Sequence, residues 1–162
     1  MWKYHNSALG DNQFNGRVDS EIKFLKPKYV VITIGTNGGN TYENLSKLVT
    51  KIIEYGSTPI LNNVPFVSFK QDGNWVALDK TEDNKLIDKI RSVYKLNGAH
   101  LNYATSLNGE GNAIDTTLYN EEPAWGTTVI IHPNNDGHKA IAEQIKVSRH
   151  YTPVASNLRF RS

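Results

Sequence analysis

Two short segments hold the residue types that acyl and proton transfer require. The first is I-H-P-N-N-D-G-H, residues 131–138, with His132 directly before Pro133 and His138 six residues later. A residue that precedes proline is pushed away from helical backbone. His132 is therefore expected in the loop that feeds the last helix, where an imidazole titrating near neutrality can act as a general base. His138 falls inside that helix. The second segment is G-T-N-G-G-N, residues 35–40, which closes the apolar run K-Y-V-V-I-T-I. Glycines let backbone approach a ligand closely, and the Asn37 amide donates hydrogen bonds without carrying charge. The same composition suits a tight turn, so turn and site both stand at this point.

The elements that must position these residues follow from apolar spacing. The β-branched run 28–34 after Pro27 reads as a central strand. Val18, Ile22 and Leu25 suit a short amphipathic helix before it. Leu45, Leu48, Val49, Ile52 and Ile53 mark a helix over about 41–55, ended by Gly56. T-P-I-L-N-N-V, residues 58–64, reads as the next strand. Residues 66–80 read as a long loop. Leu86, Ile87, Ile90, Val93 and Tyr94 mark a helix over about 82–96, and A-H-L-N-Y-A, residues 99–104, a weaker strand. Residues 105–128 look irregular, and the last helix is expected from about Asn135. This alternation predicts a mostly parallel sheet covered by helices, with ligands beyond the carboxyl ends of the strands.

Bulk properties narrow the function. The chain has 162 residues, 38% hydrophobic and 21% charged, with 18 basic and 16 acidic residues and no cysteine. That length suits one domain with a sizeable core, assigned to residues 1–147, followed by a basic tail over 148–162. A formal net charge of +2 is too balanced to argue for nucleic acid or a membrane surface. Disulfides and thiolate sites are excluded. No apolar run approaches the ~20 residues of a membrane span, and the N-terminus lacks the pattern of a signal peptide. The compartment is left open, with secretion of a longer parent as one option. No metal or cofactor is expected.

Together these segments resemble the SGNH (GDSL-type) hydrolases, esterases and lipases with a flavodoxin-like three-layer α/β/α fold. K-P-K-Y-V-V-I-T-I-G-T-N-G-G-N looks like that family's third block. The resemblance makes Asn37 a side-chain donor of the oxyanion hole. I-H-P-N-N-D-G-H-K-A-I-A looks like the fifth block, which makes His132 the catalytic base. N-S-A-L-G-D-N-Q-F-N-G-R-V looks like the second block, whose glycine, here Gly10, gives a backbone N–H to the same hole. The resemblance implies that Gly10, Asn37 and His132 converge on one pocket. Fixed donors aimed at a developing oxyanion are worth roughly 2.7–4 kcal/mol each.

The chain departs from the family pattern twice. The strand ending in Gly-Asp-Ser, which supplies the nucleophile, is absent, and neither Ser7 nor Ser20 is well placed to replace it. The expectation is a truncated esterase chain whose strand 28–34 has a vacant neighbour, with an exposed edge open to homodimer formation. The aspartate usually found three residues before the histidine is replaced by Val129. Asp115 and Asp136 have no evident relation to His132, and a helix-cap role suits Asp136. The substrate class expected is a small-molecule or carbohydrate acyl ester. Trp75 and Trp125, with Phe69 and Tyr119, lie in stretches that read as loops near the strand ends. They suit sugar stacking or ordinary loop anchoring. The alternative is a non-catalytic module that keeps the fold. A phosphate site at the glycine-rich turn ranks last, because no P-loop lysine follows it.

Overall fold

The computed structural model describes residues 18–36, 40–111 and 113–149. A π-helical turn, Val18–Ile22, runs into a short α1, Lys23–Leu25, and buries Val18 against the core. Strand β1, Tyr29–Ile32, and strand β2, Thr58–Leu61, pair in parallel from Tyr29–Thr58 to Ile32–Leu61. Between them runs α2, Tyr42–Glu54, which buries Leu45, Leu48, Val49 and Ile52 at i, i+3, i+4 and i+7. The Thr41 hydroxyl starts this helix by accepting the Asn44 amide at 3.1 Å. Helix α3, Thr81–Tyr94, adds Ile87 and Ile90 to the same core. Burying such a side chain fully is worth about 1.5–3 kcal/mol. Ile53 and Val93, expected on the buried faces, are exposed.

The strand expected at 99–104 is instead α4, Leu101–Ala104, a single helical turn. The chain joins the parallel pair just before it. Asn97 O accepts the Leu61 amide at 2.9 Å, and Ala99 O accepts the Asn63 amide at 3.1 Å. Side chains lock this junction. Arg91 is buried and donates from Nε to Leu61 O at 2.6 Å and from Nη2 to Ala99 O at 2.8 Å. Gly98 is required here, because a Cβ would lie 1.7 Å from Leu61 O. The Asn62 amide donates to Thr33 Oγ1 and accepts from the Ala99 amide.

The second half departs from the expected single, mostly parallel sheet. Strands β3, Ser68–Gln71, β4, Asn74–Ala77, β5, Tyr119–Ala124, and β6, Thr127–Pro133, form an antiparallel sheet in the order β4-β3-β6-β5. The stretch 66–80 is thus largely a hairpin, and the irregular stretch 105–128 ends in a strand. Both hairpins turn on two residues with positive φ. These are Asp72 and Gly73, at 51° and 80°, and Trp125 and Gly126, at 54° and 74°. That geometry matches the twist of the flanking strands. Helix α5, Asn135–Arg149, follows β6 and contacts α4 and the 3₁₀ turn Thr116–Leu118. It carries two residues of the assigned tail, so the chain is helical across the expected 147/148 boundary.

Among the described residues β1 pairs only with β2, and Tyr29 and Val31 on it are exposed. No helix among the described residues is long and apolar enough to cross a membrane.

Candidate functional site

His132 lies on β6 rather than in a connecting loop. The strand persists up to Pro133 because β5 pairs alongside, and the helix begins only at Asn135. The β5–β6 ladder is irregular at this point. Glu121 is opposite Ile130 and Tyr119 is opposite Pro133, so β6 advances three residues while β5 advances two. The extra residue is a bulge, which shifts the side-chain alternation. In a regular ladder His132 would share the face of Ile130 and Glu121. Across the bulge it meets Glu122 instead, with Nδ1 at 2.8 and 2.9 Å from the two carboxylate oxygens.

The Glu122 carboxylate thus stands on His132, three residues before which the sequence has Val129. That residue is fully buried in β6 and pairs with Phe69 and Glu122 across the ladders. A carboxylate on Nδ1 holds the imidazole in one tautomer, leaves Nε2 as the proton acceptor and stabilises the imidazolium once formed. The His132 side chain is 69% exposed and that of Glu122 36%, so Nε2 is accessible. Glu122 was missed because it is ten residues away in sequence and on a different strand.

The other acids are occupied elsewhere. Asp115 Oδ1 accepts the Thr117 amide and hydroxyl at the start of the 3₁₀ turn. The start of α5 is capped by Asn134 rather than Asp136. Its Oδ1 accepts the Asp136 and Gly137 amides at 3.0 Å, while its Nδ2 donates to Thr117 O at 2.7 Å. His138 is exposed on α5, with Nδ1 2.9 Å from Asn134 O, and reinforces this first turn. The cap therefore fixes the chain two residues after His132.

Gly10 and Asn37 lie outside the described residues, as does Ser7, and so does the expected convergence of Gly10 and Asn37 with His132. The described ends of the glycine-rich turn are tightly packed. Gly35 has φ +115°, and a Cβ there would lie 2.4 Å from Asn40 Nδ2 and 2.9 Å from Val64 Cγ2. Both amide atoms of Asn40 are buried without a hydrogen-bond partner. Such an unpaired buried group costs about 1–3 kcal/mol, and sequence reasoning gave Asn40 no role.

The aromatic residues divide. Trp75 is on β4, not in a loop, and stands 4.9 Å from the Lys70 ammonium. Trp125 occupies the β5–β6 turn and is exposed. Phe69 is a half-buried residue of β3. Tyr119 is buried, which pushes its phenol up to about 12 and removes it from any role in stacking. Its hydroxyl has no formed hydrogen bond, though Thr105 and the Phe66 backbone are near enough to temper the shift. Among the described residues no group of three or more His, Asp or Glu side chains is placed to hold a metal ion.

The fold is similar to that of a GDSL-like lipase from Bacteroides thetaiotaomicron, with a TM-score of 0.59 and 19% sequence identity. The match covers 83% of this chain and 68% of that one. No family model matches the chain, and no curated protein matches it. At this identity the likeness is one of fold, a mixed α/β arrangement of the GDSL/SGNH kind.

Proposed function

We propose that this chain carries the base-bearing part of an SGNH-type serine acyl-ester hydrolase, acting on small-molecule or carbohydrate esters. The observation that carries the reading is the His132–Glu122 pair, built across a bulge with Nε2 accessible. The GDSL-like fold supports it. In the proposed reaction a serine hydroxyl attacks the acyl carbonyl while His132 Nε2 takes its proton. Donors from Asn37 and the Gly10 backbone bind the oxyanion. The C–O bond to the alcohol then breaks, and His132 returns the proton to the leaving oxygen. Water, deprotonated in turn by His132, releases the acid. The serine is proposed to come from a strand upstream of these residues, against the edge of β1 that does not pair with β2.

The second reading, a binding module that keeps the fold, is favoured by one observation. Both hydrogen bonds of His132 among the described residues go to Glu122, and none joins it to a hydroxyl. Hydrolysis of p-nitrophenyl acetate separates the two readings, measured for the chain alone and with its upstream coding sequence restored. The hydrolase reading expects turnover only in the extended protein, abolished by His132→Ala. Inactivity in both proteins selects the binding module. Strong turnover by the chain alone that disappears with Ser7→Ala would move the nucleophile to Ser7.

A further inference from the structure

The β5–β6 ladder is fixed at both ends. At one end the two-residue turn Trp125-Gly126 sets Ala124 opposite Thr127, and regular register holds as far as Glu121 opposite Ile130. At the other end the chain leaving β6 is tied to the chain entering β5. The Asn134 amide donates to Leu118 O at 2.9 Å. Its side-chain Nδ2 donates to Thr117 O at 2.7 Å and to Tyr119 O at 3.4 Å. Gly137 seats α5 directly on this tie. A Cβ there would lie 2.1 Å from Leu118 O and 2.8 Å from Pro133 Cβ. Only glycine allows so close an approach of backbone to backbone.

The two strands between these fixed ends are unequal in length. Tyr119 is five residues from Ala124, whereas Pro133 is six from Thr127. A regular ladder cannot satisfy both ends. The surplus residue of β6 is taken up where the Glu121–Ile130 pair gives way to the Tyr119–Pro133 pair. A bulge leaves one residue out of the ladder. The strands alone would therefore favour regular pairing, with Tyr119 opposite His132. In that register His132 would lie on the face of Ile130 and Glu121, away from Glu122.

We propose that Asn134 and Gly137 are positioning residues for His132: by clasping Leu118 they impose the bulge that turns the imidazole onto Glu122. The side-chain bonds of Asn134 go to the 117 and 119 carbonyls and to the first turn of α5, not to the His132–Glu122 pair itself. Asn134 has two separable roles. Its Oδ1 caps α5 through the Asp136 and Gly137 amides, while its Nδ2 and backbone amide hold the clasp. The effect on catalysis rests on the hydrolase reading, but the register does not.

The test reads ring and register by NMR in the 162-residue chain. In the parent, the ring nitrogen shifts should place the proton of the neutral His132 on Nδ1, facing Glu122, and Tyr119 and Pro133 should show cross-strand contacts. Asn134→Asp keeps the acceptor that caps the helix and loses the Nδ2 donor, so α5 retains its start. This variant and Gly137→Ala should bring Tyr119 opposite His132 and shift the ring proton toward Nε2. Glu122→Ala should shift the proton in the same way and leave the register intact. Adding Asn134→Asp to Glu122→Ala should then move the proton no further. In the upstream-extended protein both clasp variants should lower kcat on p-nitrophenyl acetate by roughly 10²-fold, as loss of Glu122 does, with KM within about twofold. The proposal is overturned if Asn134→Asp keeps both the Tyr119–Pro133 contacts and the Nδ1 proton, or if the parent ring is protonated on Nε2. The expected NMR changes beside an inactive extended protein would support the clasp and overturn the hydrolase reading alone.

Discussion

The parallel half and the antiparallel sheet are built on different terms. Around β1 and β2, apolar residues from α2 and α3 fill one core, and buried polar groups such as Arg91 and Asn62 are satisfied by backbone partners. In the antiparallel sheet β4 and β5 are mainly exposed, while buried polar atoms without a partner occur in both regions, at Asn40 and Ser46 in the first and at Ser68 and Tyr119 in the second. It is this second region that holds the histidine, its carboxylate and the exposed tryptophan. Under the proposed function, the contrast assigns stability to the first region and chemistry to the second. Substitutions in each should then separate folding free energy from activity.

The largest effect on folding is expected at Arg91. Replacement by Met leaves the carbonyls of Leu61 and Ala99 without their side-chain donors and strands Asp88. An unsatisfied buried acceptor costs about 1–3 kcal/mol, so urea unfolding should show a loss of about 3 kcal/mol. Arg91→Lys should recover only part of it, since an ammonium cannot reproduce the two-pronged geometry. A loss under about 1 kcal/mol would break the contrast from the parallel side.

Glu122→Gln tests it from the other side. The pair is partly exposed, so stability should change by less than about 1 kcal/mol. Turnover by the upstream-extended protein should fall by roughly 10²-fold. That is short of the ~10⁴ seen for a buried orienting acid, because solvent can partly replace Glu122. Equal turnover with and without the carboxylate would reduce the His132–Glu122 contact to a surface ion pair.

The same division explains what was legible in the sequence. The parallel half was readable because its strands and helices have unbroken apolar spacing. Leu45, Leu48, Val49 and Ile52 fell on one face as the 3.6-residue period required. Strands β3 and β5 lack that signal, since S-F-K-Q and Y-N-E-E-P-A carry few apolar residues. Their pairing depends on the two-residue turns and on β6. His132 was singled out by its proline and the helix behind it, but was expected in a loop rather than on β6. Glu122 was not, because the bulge decides which carboxylate the histidine meets, and the bulge arises from pairing.

Tyr119 gives the antiparallel sheet an alkaline weakness. Burial holds its phenol near about 12, above the ordinary value of 10. The unfolded chain releases this proton first, so the contribution is intact below about pH 10 and is lost as pH rises toward 12. A difference of that size corresponds to roughly 2–3 kcal/mol at most. Tyr119→Phe removes a hydroxyl that has no formed bond. It should therefore cost little at pH 7, and Tm should fall less steeply above pH 10 than in the parent. A destabilisation above about 1 kcal/mol at pH 7 would mean that the hydroxyl is bonded after all.

The smallest expected effect is acid sensitivity in the parallel half, at His100. Its ring stacks on Tyr103 at 4.9 Å, directly after the Arg91-clamped Ala99. Burial lowers its pKa first and the Arg91 charge second, while Asp88 partly opposes them. A depressed folded pKa means that the unfolded chain takes up the proton more readily. Stability is then full above the ordinary histidine value of about 6.5 and declines as pH falls below it, levelling off once the folded ring is also protonated. His100→Gln keeps a polar side chain of similar reach and removes the titration. Urea unfolding between pH 7 and pH 5 should therefore show a shallower loss of stability in the variant than in the parent. Identical slopes for the parent and His100→Gln would show that the acid response arises outside the Arg91 junction. The two sheets would then no longer divide the pH response between them.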